Sequence, residues 1–199
     1  MNRSLRIAVA DDEPDMQEYF RTMLPELGHE VVAVASNGVD LVEATRTSKP
    51  DLVITDIKMP NMDGIEAAAQ IYRNYPIPVI LVSAYFDADL IRRAEADHVM
   101  AYLVKPIKRD DLLPAIAIAM RRFEQFQAMR REATDLKQAL EDRKIVEKAK
   151  GVLMKKAAID ELEAFRRLQK LATEKNKKLV EIAQSILTAQ EAYGSGKVN

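Results

Sequence analysis

Asp11-Asp12, Asp56, Ser83 and Lys105 are the residues of this 199-residue chain whose types and spacing could do chemistry. Each follows a short apolar run: Leu5–Ala10 before Asp11, Leu52–Thr55 before Asp56, Pro78–Val82 before Ser83 and Val99–Val104 before Lys105. Three carboxylates brought together repel one another unless a hard cation sits among them, and Mg2+, which prefers oxygen ligands and keeps several waters, is the natural occupant. Lys105 adds a second positive charge and Ser83 a hydroxyl. Singly, each has an ordinary reading: an Asp can be a helix cap, and a Lys before Pro106 a surface residue. Their joint placement is what carries weight.

That placement depends on the elements. Strand-like runs at Leu5–Ala10, Glu30–Ala35, Asp51–Thr55, Pro78–Val82 and Val99–Val104 alternate with helical patterns. The helices are expected from Pro14 to Leu27, where Gly28 closes the pattern, and over Val39–Thr47, Ile65–Asn74 and Phe86–Glu95. Continuous apolar strands in strict alternation with helices predict an α/β fold with a parallel sheet covered on both faces. Five strands in about 105 residues is the flavodoxin-like size, with strand order 2-1-3-4-5 and a ligand crevice at the carboxyl ends of strands one and three. All the residues named above then fall on one edge of the sheet. His29 and His98 join no cluster and read as structural.

The chain has no cysteine, which excludes a disulfide framework and a thiolate metal site. No stretch approaches the 18 or more apolar residues of a membrane span, and no signal peptide precedes Leu5, so a cytoplasmic protein without membrane contact is expected. Charge is uneven: residues 128–199 hold 16 Lys/Arg against 11 Asp/Glu, residues 1–127 hold 14 against 20. A basic second half hints at a polyanionic partner.

From Asp110 the pattern turns helical throughout. Leu113, Ile116, Ala119, Met120, Phe123, Phe126, Met129, Ala133, Leu136 and Leu140 recur at spacings of three and four, describing a long coiled-coil-like helix; a bundle internal to one chain is the competing reading. A break is predicted at Ala157–Ile159. Asp160 with Glu163 makes a capping-box pattern, and a further turn near Asn176 precedes Leu179–Leu187, so three helices are expected to share a small core. Gly151 inside a helix costs about 1 kcal/mol relative to Ala and implies a close approach of something to the backbone.

Asp11-Asp12, Asp56, Ser83-Ala84 and Lys105-Pro106, in that order and spacing, resemble the receiver domain of two-component response regulators over roughly residues 5–125. The resemblance implies Asp56 as phosphoacceptor, with Asp11, Asp12, Asp56 and the main-chain carbonyl of Lys58 holding Mg2+. Ser83, Ala84 and Lys105 would surround the phosphoryl group, and Tyr102 would be the aromatic that switches rotamer with it. Lys58 and Tyr85 flank the site and could tune the phosphoryl lifetime. Arg143–Met154 (RKIVEKAKGVLM), followed by Glu163-Ala164-Phe165, Leu171-Ala172 and Leu179 to Ile186, is similar to the ANTAR domain of RNA-binding antiterminators over roughly 133–193.

The expected organisation is a receiver at 1–125, a helical connector at 110–142, an ANTAR domain at 133–193 and a flexible tail at 194–199. Lys144, Lys148 and Lys155 share one helical stripe and Arg143 and Lys150 a neighbouring one, a ridge available for phosphates. Tyr193 is the one aromatic of the last helix. The implied function is a regulator, not an enzyme. A sensor histidine kinase phosphorylates it, it forms a homodimer on phosphorylation, and it binds RNA hairpins of a leader transcript to cause antitermination. The competing functions are a DNA-binding regulator and a protein-binding signalling adaptor.

Overall fold

The computed structural model describes residues 3–84 and 99–194, with side chains to residue 191. The helix expected over Phe86–Glu95, together with Tyr85 and His98, lies outside the described residues, as do the side chain of Tyr193 and the tail from 195. The elements are β1 (Arg6–Ala10), α1 (Pro14–Glu26), β2 (Glu30–Ala35), α2 (Gly38–Ser48), β3 (Leu52–Asp56), α3 (Gly64–Asn74), β4 (Val79–Ser83), β5 (Val99–Val104), α4 (Arg109–Ala157), α5 (Glu161–Lys175) and α6 (Leu179–Gly194).

The five strands are all parallel in the order β2-β1-β3-β4-β5, the flavodoxin-like arrangement expected. Strand side chains alternate between faces, and each face has its own core. Ile7, Val9, Leu52, Ile54, Ile80 and Val82 pack with Phe20 and Leu24 of α1 and with Leu112, Ile116 and Ala119 of α4. Ala8, Ala10, Val53, Val79 and Leu81 pack with Leu41 of α2 and with Ile65, Ala68 and Ile71 of α3. Covering both faces is why the strands read as unbroken apolar runs and not as alternating ones. β3 and β4 are buried throughout.

The helix starts follow from their caps. Pro14 occupies the first turn of α1, where its missing N–H costs nothing. Asn37 and Asp63 accept from Asp40 N–H (2.9 Å) and Glu66 N–H (2.7 Å), opening α2 and α3. Asp160 does the same for Glu163 N–H (2.8 Å) at the start of α5, half of the expected capping box.

The chain divides into two compact units, Met1–Ala128 and Met129–Asn199, and the division falls within the 49 residues of α4. This splits the seam expected from Leu113 to Leu140. Ile116, Ala119, Met120, Phe123 and Phe126 pack on the first sheet face and belong to that core. Met129, Leu136 and Leu140 are 69%, 58% and 57% exposed. A single apolar period therefore serves two purposes, and among the described residues only its first part packs into a core. In the second unit Ala149 of α4, Leu168 of α5, and Ile182 and Ala183 of α6 are buried together, with Ile145, Leu153, Leu171 and Leu187 around them. α4 ends at Ala157 and Ala158 takes φ 50°, at the predicted break; Asn176, at φ 50°, ends α5.

Candidate metal and phosphoryl site, and a basic helix face

The carboxyl ends of β1, β3, β4 and β5 deliver Asp11, Asp56, Ser83 and Lys105 to one edge of the sheet. Asp11 N–H donates to Ala35 C=O (3.1 Å), and the Asp11 carboxylate accepts the Glu13 N–H (3.0 Å), so the chain turns at once into α1. Gln17 Nε2 donates to the Asp11 carbonyl (2.7 Å) and fixes the turn from below. Asp56 is the last residue of β3, not a loop residue, and its Oδ2 accepts the Lys58 N–H (2.9 Å). Gly64 is required here by contact: a Cβ would run into the Asp56 carbonyl and sit 3.1 Å from Thr55 Oγ1. Lys105 N–H donates to Ser83 C=O (2.9 Å), tying the ends of β4 and β5 together.

The Lys105 ammonium lies 3.0 Å from Asp11 Oδ2, 3.3 Å from Asp56 Oδ1 and 2.9 Å from Glu13 Oε1. Burial raises the Asp56 carboxyl to about 6, Lys105 works against that, and the nearby Asp11 adds to it. Burial also pushes Asp11 above the usual carboxylate range, with the bonds from Glu13 N–H and Lys105 opposing. For Lys105 burial alone would lower the ammonium; its bonds to Glu13 and Asp11 outweigh that and raise it. One ammonium thus faces Asp11, Glu13 and Asp56, with Asp12 beside Asp11 and Glu13, and negative charge remains in excess.

The residues suit a hard cation. All four donors are carboxylates, and Asp11 Oδ2 is buried without a well-directed hydrogen bond of its own. Carboxylate oxygens of Asp11, Asp12 and Glu13 lie within 4.8 Å of one another, a set that includes Glu13 and is linked to Asp56 through Lys105. Ser83 is buried and Ala84 exposed at the end of β4, and Tyr102 on β5 is half-buried against the second sheet face. The residue that spacing did not single out is Glu13. Its only sequence signal is adjacency to Asp11-Asp12, because its partner is 92 positions away. His29 is structural, buried with Nδ1 accepting the Leu5 N–H (3.3 Å).

On the second unit Arg143, Lys144, Lys148 and Lys155 are exposed along α4, as their spacing implies. Lys150 is not on that ridge. It is 7% exposed, its ammonium is held by Glu147 (2.8 Å) and Glu161 (2.6 Å), and it stands 5.9 Å over the Phe165 ring. α5 packs over it, so a helical projection of α4 alone misplaces it. Lys144 is paired with Glu141 at 2.9 Å.

The family described as response regulator receiver domain matches residues 7–117, and the ANTAR domain matches 134–187. The transcriptional regulatory protein PdtaR of Mycobacterium tuberculosis (strain ATCC 25618 / H37Rv) is 40% identical over 192 residues, covering 96% of this chain and 92% of that protein. Among solved structures, the signal receiver domain of a modulated diguanylate cyclase from Desulfovibrio desulfuricans G20 aligns with TM-score 0.58 and 26% identity over 62% of this chain and 98% of that one. The response regulator domain of Thermotoga maritima CheB aligns with TM-score 0.55 and 30% identity over 60% and 98%. No helix among the described residues is long and apolar enough to cross a membrane. Receiver match, ANTAR match and near-full-length relative agree, and the chain belongs to the two-component response regulators, with a receiver domain followed by an ANTAR domain.

Proposed function

We propose that Asp56 is the phosphoacceptor, phosphorylated by a sensor histidine kinase, and that phosphorylation controls RNA binding and transcription antitermination by the helical unit. The observation that carries this reading is the Lys105 ammonium placed 3.3 Å from Asp56 and 3.0 Å from Asp11 on the carboxyl edge of the sheet. An Asp56 oxygen forms the new bond to phosphorus as the donor's bond breaks, the donor leaving with the electron pair. Lys105 offsets charge on the phosphoryl oxygens, and Ser83 donates its hydroxyl to one of them, with small Ala84 leaving the phosphorus accessible. Asp11, Asp12, Asp56 and the Lys58 carbonyl would hold Mg2+, which when bound neutralises charge on the transferring group. Tyr102, beside β4 in register with Leu81, is the side chain to follow a shift of Ser83.

Phosphorylation adds a negative charge and acceptor oxygens, so it rebalances a pocket held by a single ammonium. The exposed Met129, Leu136 and Leu140 are the surface on which a second copy would pair. Two tails held together then grip RNA with a gain in avidity. Arg143, Lys144, Lys148 and Lys155 contact phosphates, while Lys150 positions α5. Labelling by a small phosphodonor tests the site: wild type should label only with Mg2+, and Asp56→Ala should not label. Retained labelling in that variant would remove Asp56 from the role. Preference of the phosphorylated protein for duplex DNA over hairpin RNA at matched salt would favour the DNA-binding alternative.

A further inference from the structure

α4 carries a glycine where its own fold has no use for one. A glycine within a helix is less favourable than an alanine, and a Cβ built on Gly151 meets nothing within 4 Å. Gly64 is the contrast, since a Cβ there would strike Asp56. Gly151 instead floors a groove of about 590 Å3 between α4 and α6, lined also by Lys148, Val152, Lys155, Lys156, Leu187 and Gln190. That volume falls in the ~300–1,000 Å3 range of small-ligand sites. Against its three lysines stands one carboxylate, Glu191. Among the described residues the ammonium groups of Lys148, Lys155 and Lys156 make no hydrogen bond or salt bridge, Lys148 acting on Glu141 only at longer range, whereas those of Lys144 and Lys150 are both paired.

We propose that this groove seats one unpaired nucleotide of an RNA loop, with Gly151 admitting its base or sugar against the helix backbone. The inference rests on the RNA-binding reading above and adds the place where the loop is held. Val152 and Leu187 supply an apolar floor for a base, since among the described residues no aromatic side chain lines the groove. The lysines reach the flanking phosphates, and the Gln190 amide, both donor and acceptor, reaches a base edge. A nucleotide fits better than a second protein helix. Closing a helix over the groove would strip water from three unpaired ammoniums, whereas RNA phosphates pair with them.

The test uses the full chain and a fluorescent RNA of two adjacent hairpins, selected by the wild-type protein from a pool with randomised loops and read by anisotropy. Gly151→Ala should keep or raise the thermal midpoint and weaken RNA binding about tenfold, and Gly151→Leu should weaken it further. Lys156→Gln should reduce the slope of log affinity against log salt by about one. Wild-type affinity in Gly151→Leu would overturn the proposal, as would weakened self-association of that variant with RNA affinity unchanged, which would assign the groove to a second copy. Failure of wild type to select any RNA would remove the RNA reading itself, a result distinct from a wild type that binds and a variant that binds equally well.

Discussion

Asp56→Asn should make the metal-free protein more stable while abolishing its capacity to be phosphorylated. Burial raises the Asp56 carboxyl from 3.8 to about 6, so the folded protein binds this proton more tightly than the unfolded chain does. The group therefore favours folding below about pH 4, and that contribution is lost as pH rises through about 6. At ~1.4 kcal/mol per pH unit the interval sets an upper value of ~3 kcal/mol, which water at this open sheet edge reduces to ~1–3 kcal/mol at pH 7.5. Asn keeps an oxygen for the Lys58 N–H and removes the charge, and Lys105 keeps Asp11 and Glu13 as partners. The assay is urea unfolding in EDTA followed by tyrosine fluorescence. Tyr19, Tyr72, Tyr75, Tyr85 and Tyr102 lie in residues 1–128 and Tyr193 alone lies beyond, so the signal reports the sheet-containing unit. The difference between wild type and variant should disappear at pH 4, and saturating Mg2+ should stabilise wild type more than the variant. Equal or lower stability of Asp56→Asn at pH 7.5 would refute the reasoning.

Three further outcomes check other parts of the account. Gly64→Ala should lower both the thermal midpoint and the Mg2+-dependent labelling rate, because its methyl group displaces the Asp56 carbonyl; unchanged labelling would mean that the loop yields without cost. His29 should titrate below its ordinary 6.5 in an NMR titration, since burial disfavours the imidazolium. Its contribution to stability is then complete above 6.5 and is lost as pH falls toward its folded value, and a midpoint above 6.5 would contradict the burial. Lys150→Met should leave the salt dependence of RNA binding unaltered, as its ammonium is already held by Glu147 and Glu161, whereas Lys148→Met should reduce the slope by about one.

The sheet was legible because strands buried on both faces must be apolar throughout, and Glu30–Ala35 and Val99–Val104 begin and end where the runs do. The convergence of Asp11, Asp56, Ser83 and Lys105 was legible for a related reason: in a parallel sheet every strand carries its carboxyl end to the same edge. Glu13 was not legible as a partner of Lys105, because no local period links positions 92 residues apart. The seam from Leu113 to Leu140 reads as one stripe, since a period records that a face is apolar and not what covers it. The stretch from Ile116 to Phe126 packs on the sheet, whereas Leu113 and the part from Met129 are exposed. Lys150 failed in the same way, buried by an α5 whose position α4 does not encode. Gly151 kept the meaning its composition suggested: a cost to the helix that the chain's own packing does not explain.

On the function proposed above, the state of the Asp56 pocket sets the grip of the helical unit on RNA. This claim is tested by the affinity of the full chain for its selected hairpin RNA, with and without Mg2+ and beryllofluoride as a phosphoryl mimic, at one protein concentration and one salt. Pairing two tails through the Met129–Leu140 face should tighten binding by about a hundredfold. The gain should be absent in Asp56→Ala. Equal affinity in the two states, with the mimic bound at Asp56, would contradict the claim.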